Sequence, residues 1–447
     1  MKRIIETHLI AWRDDPNRLP LIIRGARQVG KSYLVENFGK TYFEHITIAN
    51  FEFQPQLSEC FDTLDPQQII KRLELYTRTN IIPGQTLLFL DEIQNCPNAL
   101  LALRYFKEKL PQLHVIAAGS LLEFILNSEE FSFPVGRVQF AFLHPMSFSE
   151  YLINVGEEKL YQFLCHVEIQ STIPPGIHQQ ALKLVREYLL IGGMPAAIKT
   201  YQDDQSLLSV QTRLSTLFQA YQNDFGKYAK KVNIHLLRRL YNLLPAQIAK
   251  QIKYAKLDPE TRAADQKVAL ELLNWAGIIH YIYYSSGTGI PLNAHINEKI
   301  FKLLYLDIGL LQFANQIDPK IIIESEITQI NAGMLAEQFV GQELIAYGHW
   351  YQPYPLFFWK NDRPGSMAEV DYLITLENDI IPIEVKSGKM GKLKSIRQFF
   401  KQYNSKMGLK ISQDPLMFSD NILSVPFYLI EQLPRLYKDA KNYYQHK

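Results

Sequence analysis

An α/β fold is predicted, built on a parallel sheet covered by helices, with a helical stretch after it and a second α/β unit at the C-terminus. Three observations predict the first unit. Strand-like runs at 20–24, 43–49, 86–91 and 113–118 alternate with helix-like runs over the first 150 residues. Thr86-Leu87-Leu88-Phe89-Leu90 lacks polar alternation, as expected of a central strand buried on both faces. A glycine-bearing turn, residues 25–32, follows the apolar run Leu19-Pro20-Leu21-Ile22-Ile23 and leads into a helical stretch from Tyr33 to Phe38.

That turn reads Gly25-Ala26-Arg27-Gln28-Val29-Gly30-Lys31-Ser32 and fits the phosphate-binding P-loop pattern at every required position. Its glycines let backbone amides turn inward around phosphate oxygens. Lys31 can reach the β- and γ-phosphates, and the Ser32 hydroxyl can ligate Mg²⁺. The helix that follows points its N-terminus at the phosphates. The buried run at 86–91 ends in Asp91-Glu92. Asp91 is expected to hold Mg²⁺ through the metal's water shell, and Glu92 to polarise the attacking water. The strand at 113–118 ends in Gly119-Ser120. Ser120 either touches the γ-phosphate or caps the helix Leu121–Leu126. ATP with Mg²⁺ is therefore the expected ligand.

The chain has 447 residues, which suggests about three domains. Its 47% hydrophobic and 21% charged composition is that of a globular protein. The formal charge of +2 is unevenly spread. Residues 41–70 hold five acids and no Lys or Arg, whereas 227–262 and 380–447 each carry a net +7. Such basic segments suit DNA or RNA, or form an ordinary solvated surface. Cys60, Cys96 and Cys165 have no paired spacing, so neither a disulfide framework nor structural zinc is expected. No signal-peptide core and no long apolar window occur, which predicts a cytoplasmic protein without membrane contact.

Residues 155–230 read as helical and break at Gly192-Gly193-Met194-Pro195, either a hinge or a plain helix-ending turn. Residues 231–325 read as short helices followed by a hairpin, the pattern of a winged helix-turn-helix. Recognition would fall near Asp265–Leu273, with Lys253, Lys256, Arg262 and Lys267 on phosphates. Docking of a protein partner is the alternative use of such a module.

The P-loop with Arg27-Gln28, the Leu-Asp-Glu-Ile-Gln strand end, Ala118-Gly119-Ser120, Val135-Gly136-Arg137-Val138 and His144-Pro145-Met146-Ser147-Phe148-Ser149-Glu150 together carry a resemblance. They resemble a prokaryotic family of AAA+-type ATPases with a C-terminal domain of unknown function. The resemblance implies a P-loop NTPase core of AAA+/RecA-like type at 1–154, a helical lid at 155–230, a winged-helix segment at 231–325 and a restriction-endonuclease-like domain at 326–447. It makes Arg137 the expected arginine finger, acting from the same chain or a neighbour, with Arg104 as competitor. A structural salt bridge is the other reading of Arg137.

A second constellation lies in the last part. Glu337 sits in the helical run Met334–Leu344; Glu369-Val370-Asp371-Tyr372-Leu373-Ile374 and Ile380-Ile381-Pro382-Ile383-Glu384-Val385-Lys386 read as strands. In a hairpin Asp371 and Glu384 lie side by side, with Lys386 on the face of Glu384. This arrangement resembles the PD-(D/E)XK nuclease core. Asp371, Glu384 and Lys386 match its acid, acid and lysine, Gln398 matches a polar position on the next helix, and Glu337 could complete the Mg²⁺ shell. Glu-x-Lys in a strand is otherwise often a surface ion pair. The expected function is an ATP-hydrolysing protein whose nucleotide state controls a Mg²⁺-dependent nuclease-like domain. The alternative is an ATP-dependent switch whose C-terminal domain binds DNA or protein without cutting. A homo-oligomer or a protein partner is compatible with either.

Overall fold

The computed structural model describes residues 1–126, 136–228, 233–317, 332–363, 368–387, 393–403 and 405–445. The chain divides into two compact units. One comprises Met1–His144 with Trp275–Gly277 and His349–Pro353; the other comprises Pro145–Asn274, Ile278–Gly348 and Tyr354–Lys447.

The first unit is a five-stranded sheet of β1 (Leu21–Arg24), β2 (His45–Asn50), β3 (Thr86–Asp91), β4 (His114–Ala118) and β5 (Gln139–Phe142), in the order β2-β3-β4-β1-β5. Every pairing is parallel. Parallel neighbours need crossovers, supplied here by α2 (Lys31–Tyr42), α3 (Pro66–Thr77) and α4 (Pro97–Lys109), after an N-terminal α1 (Glu6–Asp14). The short α5 (Leu122–Leu126) follows β4. All six residues of β3 are buried, as the unbroken apolar run requires. Ile22, Leu88, Leu90, Val115 and Ala117 share one core with Ala99, Leu103 and Phe106 of α4. The four expected strands are present, whereas β5 is an addition to them; it is four residues long with only Ala141 buried, too short and too mixed to show a period.

The second unit begins with a helical run: α6 (Phe148–Asn154), α7 (Glu158–Cys165), α8 (Pro175–Ile191), α9 (Pro195–Asp204), α10 (Leu207–Tyr228), α11 (Ile234–Leu243), α12 (Tyr254–Leu257) and α13 (Ala263–Trp275). The hairpin β6 (Ile279–Ser285) and β7 (Ile296–Tyr305) follows, then α14 (Ile308–Ala314) and α15 (Ala332–Ala346). Strands β8 (Leu356–Lys360), β9 (Glu369–Leu376) and β10 (Asp379–Val385) precede α16 (Lys394–Tyr403). The chain ends with β11 (Gly408–Ser412), β12 (Met417–Ser419), β13 (Ile422–Pro426) and α17 (Leu433–Gln445). Eight strands form one mixed sheet in the order β12-β13-β11-β10-β9-β8-β6-β7.

Two features bear on the expected organisation. The hairpin expected as a wing joins the C-terminal strands, because β6 pairs in parallel with β8. The segments expected at 231–325 and 326–447 thus share a sheet, and the boundaries at 230/231 and 325/326 lie outside the described residues. The Gly192-Gly193 turn is pinned: Gly193 N–H donates to Asp307 Oδ2 at 2.6 Å, and a Cβ on Gly193 would fall 2.2 Å from the Met146 carbonyl oxygen. It is a packed junction closing α8 rather than a free hinge.

Candidate functional site

Strand β1 delivers the P-loop at its C-terminal end, and β4 separates β1 from β3. The tips of β2, β3 and β4 are level, with Asn50 opposite Asp91 and Asp91 opposite Ala118. The loop itself needs glycine at its first position. Gly25 has φ +146°, and a Cβ there would lie 2.1 Å from the Leu143 carbonyl oxygen. Arg3 braces the loop from outside, donating to the Val29 carbonyl at 2.9 Å and the His144 carbonyl at 2.7 Å. Its place in the N-terminal segment, far from any motif, left no sequence signal.

Lys31 opens α2 and is buried, its ammonium donating to the carbonyls of Gly25 (2.9 Å) and Ala26 (2.7 Å). Burial lowers its pKa to about 8, partly offset by the nearby carboxylates of Glu92 and Asp91. Ser32 Oγ donates to Asp91 at 2.9 and 3.1 Å. Asp91 also accepts from Asn50 Nδ2 at 2.9 Å, and burial raises its pKa. A hydroxyl and a carboxylate in contact are hard oxygen donors that fit Mg²⁺.

Glu92 stands in the left-handed region, φ +50°, which turns its side chain from the strand toward Gln94 (Nε2 to Oε2, 2.5 Å) and Ser120 (Oγ to Oε2, 3.4 Å). The structure therefore gathers Lys31, Ser32, Asp91, Glu92 and Ser120, with Ala26, Gln28, Val29 and Gly30 forming the loop. Arg27 reaches Glu52 at 3.8 Å. Asn50 and Gln94 are further members: the first is legible only as a polar residue at a strand tip, the second only as part of the Leu-Asp-Glu-Ile-Gln string.

Arg137 is not gathered within this chain. It precedes β5, whose first residue, Gln139, pairs with Leu21 at the start of β1. Parallel strands put that edge opposite the P-loop, and Arg137 there contacts Glu108 at 3.2 Å, as Arg104 does at 3.0 Å. Of the two ways in which a finger is expected to act, from the same chain or from a neighbour, this position does not fit the first, and the contact with Glu108 is the salt bridge of the other reading.

In the second unit, β9 and β10 pair antiparallel with Ile383 opposite Tyr372, a register that continues to Glu384 beside Asp371. Asp371 Oδ2 accepts from the Val385 amide at 2.7 Å, and Lys386 Nζ donates to Glu384 Oε1 at 2.5 Å. Sequence reasoning missed Lys302. This buried lysine of β7 contacts Glu337 Oε2 at 3.4 Å and pairs with Glu369. Its pKa is raised by Glu337, Asp371 and Glu369 although burial acts against this.

Burial and then Asp371 push Glu337 up to about 8 and Glu384 up to about 7. Burial likewise raises Asp371. Among the described residues the buried Glu384 Oε2 has no hydrogen-bond partner. Among the described residues no three His, Cys, Asp or Glu side chains are grouped to hold a metal ion. Asp371 and Glu384 stand side by side, and Glu337, the third residue expected in the shell, is held by Lys302. Gln398 lies on α16, half-buried, lining a different cleft. Of the cations expected to contact phosphates, Lys267 pairs with Glu271 at 3.9 Å, Lys253 and Arg262 are exposed, and the Lys256 side chain lies outside the described residues.

Residues 17–152 match the AAA domain family. The first unit has the α/β fold of a P-loop NTPase, and these residues are similar to AAA domains. Beyond this AAA domain, residues 182–321 and 332–429 match two domains of unknown function, DUF8612 and DUF4143. No curated protein matches the chain. Among solved structures the chain is similar to the Walker-type ATPase PABY2304 of Pyrococcus abyssi, at 14% identity and TM-score 0.44 over 70% of this chain and 95% of that one. It is similar to the Aeropyrum pernix ORC1 protein solved in complex with DNA, at 10% identity and TM-score 0.30 over 71% and 93%. A third is Cdc6p of Pyrobaculum aerophilum, at 12% identity and TM-score 0.25 over 72% and 92%. Among the described residues no helix is long and apolar enough to cross a membrane.

Proposed function

We propose that the AAA domain hydrolyses ATP with Glu92 as the residue that polarises water. The contact of Ser32 with Asp91 carries this reading, because it sets hydroxyl and carboxylate together beside the P-loop lysine. Phosphate oxygens would replace the Gly25 and Ala26 carbonyls as acceptors for Lys31. Mg²⁺ held by Ser32, and by Asp91 through water, would offset charge on the phosphates. Glu92, steadied by Gln94, orients and polarises the attacking water, and Ser120 beside it senses the γ-phosphate end. A finger from Arg137 requires a neighbouring copy. ATP turnover by wild type against Glu92→Gln tests the reading: normal turnover in the variant would overturn it.

A second reading concerns the carboxylates of the second unit and rests on the unpartnered Glu384 Oε2. Asp371 and Glu384 form a two-carboxylate site for a divalent cation, with Lys386 positioned to orient water against a phosphodiester, and nucleotide state controls its use. Incubating the chain with DNA and RNA plus Mg²⁺, with and without ATP, and comparing Glu384→Ala tests it. An absence of cutting would leave a switch that binds without cleaving.

A further inference from the structure

Helix α16 is two-faced. Ile396 and Phe399 are buried, Phe399 and Tyr403 pack on Trp359 of β8, and the Trp359 indole N–H donates to the Tyr403 hydroxyl at 3.1 Å. The opposite face carries Lys394, Arg397, Gln398 and Lys401, at the spacing i, i+3, i+4, i+7 that aligns side chains on one stripe. Arg363 faces this stripe from the loop after β8, where its amide donates to Asn361 Oδ1 at 3.0 Å. Asn361 is itself buried. Together with Gln402 these residues line a cavity of about 430 Å³.

Among the described residues the lining holds four cations, two glutamines and one asparagine, and no acid, aromatic or aliphatic residue. Among the described residues none of the four cationic side chains has an ion-pair partner, unlike Lys302, Lys386, Lys410 and Lys441 of the same unit. Like charges gathered without counter-ions repel one another and favour a polyanion that neutralises them together. Lys394 and Lys401 stand seven residues apart, about 10 Å along the helix axis, too far for one phosphate to satisfy both.

We infer that this cleft binds successive backbone phosphates of a nucleic-acid strand, through Lys394, Arg397 and Lys401 on one wall and Arg363 on the other. With no aromatic surface for stacking, recognition is independent of base sequence; the amides serve phosphate and sugar oxygens. The packing of Phe399 and Tyr403 holds the cationic stripe in place before ligand arrives. The inference rests on the reading that the second unit acts on nucleic acid.

The test is anisotropy of a labelled single-stranded oligonucleotide titrated with the full chain, in chelator and without ATP, over a series of salt concentrations. Lys394→Ala/Arg397→Ala/Lys401→Ala is expected to weaken binding at least tenfold and to lower the salt slope by about one unit per cation removed. Arg397→Lys is expected to keep the slope. Lys253→Ala/Arg262→Ala/Lys267→Ala serves as a control of similar charge loss. An unchanged affinity and slope in the cleft variant with an unchanged melting temperature would overturn the inference. So would a loss confined to the control variant, or equal competition by polyglutamate, which offers charge without phosphates. Because chelator prevents cutting, a chain that binds through this cleft yet never cuts overturns only the nuclease reading.

Discussion

The Asn50 amide donates to Asp91 Oδ2 at 2.9 Å across level strand tips, while Asn50 Oδ1 accepts from the amides of Glu52 and Phe53 at 3.1 and 2.8 Å. One side chain thus orients the carboxylate and shapes the turn after β2. Asn50→Leu is expected to weaken Mg²⁺-dependent nucleotide affinity by about 10–100-fold, the usual cost of losing a partner behind a metal ligand. Calorimetric titration of ATP with and without Mg²⁺ checks it; equal loss in both conditions would show that Asn50 serves only the turn.

Glu92→Gln is expected to lower ATP turnover by about 10²-fold or more while ATP still binds. Gln94→Ala should give a smaller fall in kcat with little change in KM, because Gln94 positions Glu92 rather than touching phosphate. Steady-state kinetics separate the two variants, and a raised KM alone for Gln94→Ala would place it in binding instead.

Arg137 lies at the sheet edge away from the P-loop, paired with Glu108. Turnover per site in Arg137→Ala is therefore expected to match wild type at dilutions where chains are separate. A defect appearing only as concentration rises would mark the residue as acting on a neighbour, where an arginine finger contributes about 10³–10⁵-fold.

Glu337 and Glu384 bind protons more tightly in the fold than as free carboxyls, with values raised from 4.5 to about 8 and about 7. Between those limits the folded state holds more protons than the unfolded one, so stability falls as pH rises from about 4.5 to about 8. Thermal melts across this window should show the fall, and Glu384→Gln should flatten it. Added Mg²⁺ should raise the melting temperature most at the alkaline end, where Glu384 of the proposed two-carboxylate site is charged. A shift equal at both ends would argue against binding by these carboxylates.

Lys31→Met tests the same bookkeeping with opposite chemistry. The lysine has a depressed pKa of about 8 because it is buried as a cation, so removing it should abolish ATP binding without lowering the melting temperature of the ligand-free chain. A large loss of stability would show that its bonds to Gly25 and Ala26 hold the loop.

Much of this protein was legible locally. The P-loop, the strand carrying Asp91 and Glu92, and the hairpin carrying Asp371 and Glu384 are short-range patterns. Glycine conformation, apolar runs and period-two alternation act within a few residues, so sequence alone specified which side chains stand at which strand tips. Only the tertiary structure decided which distant groups meet them. Asn50 reaches Asp91 because β2 and β3 are neighbours, and Arg137 misses the P-loop because parallel strands send it to the far edge. Lys302 enters the carboxylate cluster because β7 shares a sheet with β9. Such meetings depend on strand order and burial summed over the whole chain; a lysine at 302 and a glutamate at 337 reveal their contact only once the fold has buried the lysine and brought the half-buried glutamate beside it.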